Sequence, residues 1–251
     1  MEPLVTGLIV FSCLFASGLL GLWLRASLPD HHLTPETKDT VRVAMGLVAT
    51  MAALVLGLLV ASSKSTYDVE KTEVTEAVAR IRFLDGVLAD YGPEAAEARQ
   101  VLRHAAEQAM IRLWPEDNSE HVPLDPGLAW ARQLRNALLS LAAKDPVQAE
   151  LKSEAMGLAV QLGQIRWLVS EQSKTPVSRA LLIIVVVWMA MIFVSLGLFA
   201  PRNPTVVAAF ASAALSVAGA IFLILELSHP FSGIIKISSE PLRTALEQLG
   251  R

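Results

Sequence analysis

The chain has 251 residues and a net charge of −3; 53% of it is hydrophobic and only 18% is charged. The charges gather between Lys64 and Arg179, 14 basic and 17 acidic. This distribution excludes a soluble enzyme, a nucleic-acid binder with a basic face and a secreted disulfide scaffold, since the single cysteine, Cys13, has no internal partner.

Four windows carry no charge: Leu4–Leu24, Val43–Ser63, Ala180–Pro201 and Asn203–Leu225. A hydrocarbon core about 30 Å thick needs roughly 20 apolar residues in a helix. A charge at the bilayer centre costs about 2.5–3.5 kcal/mol on insertion scales, so each window predicts a transmembrane helix. The first is expected to stay uncleaved, because Met1-Glu2-Pro3 offers no basic leader and no small-residue cleavage site follows the long apolar run.

Four spans put both termini on the same side as the Lys64–Arg179 segment. That side carries Lys64, Lys71, Arg80, Arg82, Arg166, Lys174, Arg179, Lys236 and Arg243 near the membrane; the other carries Arg25, Lys38, Arg42 and Arg202. Nine against four places the termini and the 64–179 segment in the cytoplasm.

The second span has no breaker after it. From Val60 to Asp85 there is no proline or glycine, and Val74, Val78, Ile81, Leu84 and Leu88 recur at helical spacing. The span is therefore expected to run on as one long rod, ended by Gly92-Pro93. Pro93 opens a further helix to Leu113, since proline suits a first turn. The proline-rich, acidic stretch Trp114–Pro126 reads as a loop. Helices follow over Gly127–Ala143 and Pro146–Gln172, with Asp145 as the N-cap of the latter. Thr175-Pro176 marks entry to the third span. No strand pattern occurs. The predicted class is all-α, an integral membrane protein with four spans and a helical cytoplasmic bundle between spans two and three. Its parts are residues 1–63, 64–179, 180–228 and a tail, 229–251, with a short amphipathic helix at Pro241–Leu249.

Helices in lipid meet through small residues. In the second span Gly46, Thr50, Ala53, Gly57 and Ala61 form one small face; in the fourth, Ala208, Ser212, Ser216 and Ala220 do the same. The third span is bulky all round from Leu181 to Met189. The second and fourth spans are thus expected inside, and the third against lipid. The second-span face has two readings. The ordinary one is helix packing. The sharper one is a pore lined by Gly46, Thr50, Ala53, Gly57 and Ala61 in an oligomer, because four spans alone leave little room for water. Ser62, Ser63, Lys64 and Asp68 would form its mouth. A ring of Lys64 attracts anions, and Asp68, Glu70 and Glu73 below it oppose that, so ion sign stays open on these residues. Lys64 in its ordinary role snorkels to the interface.

Glu226 is the sole carboxylate adjoining the fourth span, a functional candidate at a boundary where an ionisable group is also cheap to place. Asp30-His31-His32 with Glu36 and Asp39 offers metal-ligand types but no i, i+4 pair, and its adjacent histidines diverge unless the loop bends, so a metal site there is the minor reading; elsewhere there is no metal spacing, phosphate-binding glycine loop or nucleophile–base pair. No catalytic residue, metal or cofactor is assigned, and no nucleic acid is expected as a partner.

The tail carries a resemblance. Leu225-Glu226-Leu227-Ser228-His229-Pro230-Phe231-Ser232-Gly233, then Ile237-Ser238 and Pro241-Leu242-Arg243, resembles the bacterial bestrophin-like domain family. Its last span typically ends in Glu-Leu-Asp-x-Pro-Phe-x-Gly, followed by Ser-x-x-Pro-Leu; Ser228 stands here where aspartate is usual. Gly57-Leu58-Leu59, the serines after it and Tyr67-Asp68 look like the family's second-span exit. The resemblance implies a bacterial inner-membrane homo-oligomer. Bestrophins are pentameric anion channels, which implies chloride as the permeant ion and the second span as the lining of a narrow apolar neck. It also implies functional weight for Glu226, His229, Pro230, Phe231 and Gly233. An acidic calcium-binding run follows the Pro-Phe pair in bestrophins, whereas Ser232 to Lys236 has no acid. The alternative reading is a membrane-anchored helical protein that binds or regulates a cytoplasmic partner without transport.

Overall fold

A computed structural model describes residues 3–29, 34–114, 129–172 and 179–250, without the side chains of 129, 165–172 and 179. Among the described residues the fold is all-α. The helices are α1 (Pro3–Ser27), α2 (Pro35–Tyr91), α3 (Ala96–Leu113, entered through a 3-10 turn at Pro93–Ala95), α4 (Ala129–Ser140), α5 (Pro146–Gln172), α6 (Arg179–Phe199), α7 (Pro204–Leu227) and α8 (Glu240–Gln248). Four helices are long and apolar enough to cross a membrane, within Pro3–Ser27, Pro35–Tyr91, Ala180–Phe199 and Pro204–Leu227. Two compact units result: Met1–Tyr67 with Pro176–His229, and Asp68–Thr175 with Pro230–Arg251. The second forms the helical bundle inserted between spans two and three.

The unbroken α2 follows from its sequence. Its 57 residues contain no proline after Pro35, which opens it. Thr50, Thr66, Thr72 and Thr75 each turn their hydroxyl back to the carbonyl four residues earlier. The rod ends where Gly92 takes φ 115°, a backbone region that only glycine enters at little cost.

In the membrane unit α1 packs against both α6 and α7. Its core is Val10, Leu14, Leu22, Phe193, Phe210, Ala214, Ala218 and Ile221. The third span, α6, leaves Ile183, Val187 and Leu196 exposed, as a lipid-facing helix would, but on its other side it is the close partner of α1. The reason is Gly18, Gly21 and Gly197. A Cβ on Gly21 would lie 2.2 Å from the Val194 carbonyl oxygen, and one on Gly197 would lie 2.3 Å from the Gly18 carbonyl oxygen. Backbone meets backbone, the most intimate contact two helices make in lipid. The fourth span, α7, buries Phe210, Ala214, Ala218 and Ile221 rather than its expected face, for Ala208, Ser212 and Ser216 are exposed.

Two arginines finish this unit. Arg202 donates to the Leu22 carbonyl near the end of α1, at 2.9 Å through Nη2, and Arg25 donates to the Ala200 carbonyl just past α6. Each helix end thereby receives a cation, which suits the negative end of the helix dipole. Asn203 caps α7, its Oδ1 accepting from Val206 N at 2.9 Å.

The bundle unit is built on Leu84, Leu88, Leu102, Leu134, Leu138, Ala155, Leu162, Leu242 and Leu249. Arg99 holds Asp85 bidentately at 2.8 and 2.9 Å inside it. Arg80 reaches Gln161 on α5, and Arg82 reaches Gln248 on α8, both at 2.7 Å. Asp145 caps α5 as expected, its Oδ1 accepting from Gln148 N at 2.8 Å. The α4 helix ends at Ser140, short of the expected Ala143, where Lys152 Nζ donates to the Leu139 and Leu141 carbonyls at 2.9 and 2.6 Å. Residues 115–128, which hold most of the expected acidic loop, and 30–33, which hold Asp30, His31 and His32, lie outside the described residues.

Candidate functional site

The α2 helix within its apolar window buries one narrow face. Ala52 and Leu59 are buried, Leu59 in a cluster with Val185 of α6 and Ile224 of α7. Ser63 continues that face and is buried too. By window, α2 is the least covered of the four apolar helices: 11% of its residues are buried inside the chain, against 28% for α1 and α7 and 17% for α6.

Round the helix lie two strips that the chain leaves open. One is bulky: Val43, Leu47, Met51, Leu54 and Leu58, with Leu47 and Leu58 each 69% exposed. The other is the small strip, Gly46, Thr50, Ala53, Gly57 and Ala61, every member exposed. A Cβ on Gly46 or Gly57 would meet nothing within 4 Å. The strip is thus not used for packing within the chain. Bulky side chains can be solvated by lipid tails, but a small-residue strip beside them gives a second helix room to approach.

Beyond the window the mouth candidates separate. Ser62, Lys64 and Asp68 are exposed, whereas Ser63 turns into the chain's own packing. Lys64 Nζ lies 5.3 Å from the centroid of the Tyr67 ring, a cation–π distance. Glu70 was expected, with Asp68 and Glu73, to oppose Lys64. It is instead 3% exposed, and its Oε2 has no hydrogen-bond partner among the described residues. Burial pushes its pKa up to about 7, and the negative charge of Glu73 adds to the rise.

At the far end of the chain Glu226 is 2% exposed, buried near the end of α7 and not lying at an open interface. Ser228 Oγ donates to the Ile224 carbonyl at 2.6 Å, and exposed His229 places Nδ1 2.8 Å from the Leu225 carbonyl oxygen. These two residues seal the last turn of the span. In the bundle unit, Pro230 is buried and its carbonyl accepts from Ile237 N at 2.7 Å, closing the tail turn. Gly233 supplies φ 88° within that turn. Phe231 meets Trp114 edge-on at 5.6 Å between ring centroids, and Trp114 Nε1 donates to the Ile237 carbonyl at 2.7 Å.

The sequence reading named Phe231 but did not see Trp114 as its partner. The only available signal was an aromatic residue stranded at the end of an amphipathic helix beside polar loop residues. Among the described residues no group of three or more His, Cys, Asp or Glu could hold a metal ion. The family model described as Bestrophin-like domain matches residues 12–242, nearly the whole chain. No curated protein and no solved structure matches it.

Proposed function

Since the chain belongs to the Bestrophin-like domain family, we propose that several copies of it assemble into an ion channel whose path runs along α2. The architecture of a multi-span helical membrane protein accords with a channel of this kind. The single observation that carries the reading is the open small strip: Gly46, Thr50, Ala53, Gly57 and Ala61 are exposed on the least covered span, with empty space over both glycines. In a ring of copies this strip lines a narrow, weakly polar neck. The Thr50 hydroxyl donates to the Gly46 carbonyl at 3.0 Å, which leaves its oxygen as the strip's polar contact.

Ser62, Lys64 and Asp68 stand at the mouth. Exposed Lys64 supports anions, chloride among them, as the permeant species, and Asp68 one turn on tempers that preference. The nine-to-four distribution of basic residues supports a cytoplasmic placement of the bundle and both termini. A pentamer is the subunit number the family resemblance suggests.

The test is current through reconstituted protein. In a Cys13→Ser background, Ala53→Cys and Gly57→Cys oligomers in planar bilayers should conduct, and a charged thiol reagent should block them. Leu47→Cys, on the bulky strip, should resist block. Silent bilayers from a well-folded oligomer would overturn the channel reading in favour of a membrane-anchored interaction protein. Block at Leu47→Cys with none at Ala53→Cys would move the path to the other strip.

A further inference from the structure

The tail turn is closed in a way that needs no ion. The calcium-binding run that the family resemblance implies would sit just after Pro230-Phe231. Calcium takes about 6–8 oxygen ligands, several of them carboxylates. From Phe231 to Ser239 the chain has no carboxylate, and Lys236 places a positive charge there. Two backbone carbonyls of the turn are already engaged. Pro230 O accepts from Ile237 N–H at 2.7 Å, and Ile237 O accepts from Trp114 Nε1–H at 2.7 Å. The residues present do not fit a calcium ion.

We propose that Trp114 is the latch of the tail: the turn from Pro230 to Ile237, closed by its own backbone bond, is fastened to the bundle by the Trp114 indole and not by a bound cation. Trp114 acts at both ends of the turn at once. Its ring meets Phe231 at the start, 5.6 Å between centroids at an interplanar angle of 87°, the edge-on geometry that aromatic pairs favour. Its N–H meets the Ile237 carbonyl at the finish. Ile237 is buried, so its carbonyl would lose a bond that water is poorly placed to replace. The latch sits where α3 ends, its own backbone N–H still bonded to the Met110 carbonyl at 3.0 Å, so the indole is delivered from a fixed helix terminus. Beyond the turn, α8 buries Leu242 and Ala245 in the bundle core, and Leu249 just after it is buried there too. The latch therefore fixes Pro230 to Ile237, eight of the twelve residues between the end of α7 and this docked helix. Trp114 is a positioning residue, and a metal-free one.

Amide hydrogen exchange of the full chain in detergent tests this without reference to any current. Peptides covering 230–240 report the turn, and a peptide covering 134–141 reports the bundle core. In the wild-type chain, tail exchange should be the same in EDTA as in millimolar calcium. Trp114→Phe keeps a ring against Phe231 but removes the donor, and should speed tail exchange about tenfold while the core peptide holds. Phe231→Leu should loosen the start of the turn in the same assay. Calcium slowing wild-type tail exchange tenfold would overturn the proposal. So would unchanged tail exchange in Trp114→Phe, or equal acceleration of tail and core, which would make Trp114 an ordinary core residue.

Discussion

Gly21 of α1 and Gly197 of α6 face each other so closely that neither helix has room for a side chain there: a Cβ on Gly21 would come within 2.9 Å of Gly197 Cα, and one on Gly197 within 2.9 Å of Gly21 Cα. The obstructing atoms are backbone, which cannot swing aside as a side chain would. Gly21→Ala and Gly197→Ala should each lower the thermal midpoint in detergent, by about 1–3 kcal/mol of stability or more. Gly46→Ala and Gly57→Ala have open space over them and should leave the fold of the single chain unchanged. Any effect of these two on assembly or current then belongs to contacts between copies.

Asp85 and Arg99 form the bundle's buried ion pair, 11% and 19% exposed at the side chain. Asp85 also lies 3.4 Å from Gly250 N, and Arg103 Nη1 donates to the Leu249 carbonyl at 3.4 Å. Asp85→Ala strands the guanidinium in a partly dry site and should cost about 3 kcal/mol. Asp85→Ala combined with Arg99→Leu should recover much of that loss. A thermal-denaturation double-mutant cycle measures the coupling.

Glu70 makes stability depend on pH. Its pKa is raised from 4.5 to about 7 in the folded chain by burial, with Glu73 adding to the shift. Between those values the folded state holds a proton that the unfolded state has lost. Stability is therefore greatest below about pH 4.5 as far as this group is concerned, and falls as pH rises to about 7. The full swing is on the order of 3 kcal/mol. Glu70→Gln should flatten the thermal midpoint between pH 5 and 8 and raise it at pH 8. A wild-type midpoint that climbs across that range, with no change in the variant, would contradict the assignment.

Lys64 and Asp68 share the exposed exit of the second span. If the path follows α2, Lys64→Gln should shift the reversal potential in a salt gradient toward cations, and Asp68→Asn should shift it toward anions. Shifts of a few millivolts to tens of millivolts are readable in planar bilayers. Two silent substitutions would place the path away from this exit.

Much of the architecture was legible because it rests on local chemistry. Charge-free windows mark Leu4–Leu24 and Asn203–Leu225 as spans, since no neighbour can make a stranded charge cheap in lipid. The absence of breakers from Val60 to Asp85 predicts the α2 rod, and Gly92-Pro93 its end. Asp145 was visible as a cap because its bond to Gln148 spans three residues. The candidate site was legible only as a strip. That Gly46, Thr50, Ala53, Gly57 and Ala61 share a face is a matter of helical spacing; that the chain leaves the face open is not.

Small residues look alike in a sequence whether they press on a neighbour or stand free. Gly21 and Gly197, 176 positions apart, meet because α1 and α6 pair, while Gly57 meets nothing. Asp68, Glu70 and Glu73 read alike as acids opposing Lys64, yet the packing buries Glu70 and exposes Asp68. Trp114 and Phe231 carried no sign of each other across more than a hundred residues. The sequence by itself determined the four spans, the helical class and the periodic faces, because hydropathy, backbone propensity and helical pitch act over a few residues. Only the tertiary structure decided which of those faces is spent inside the chain, which carboxylate loses its water and which aromatic closes the tail, because desolvation and close contact depend on groups that the chain brings together from afar.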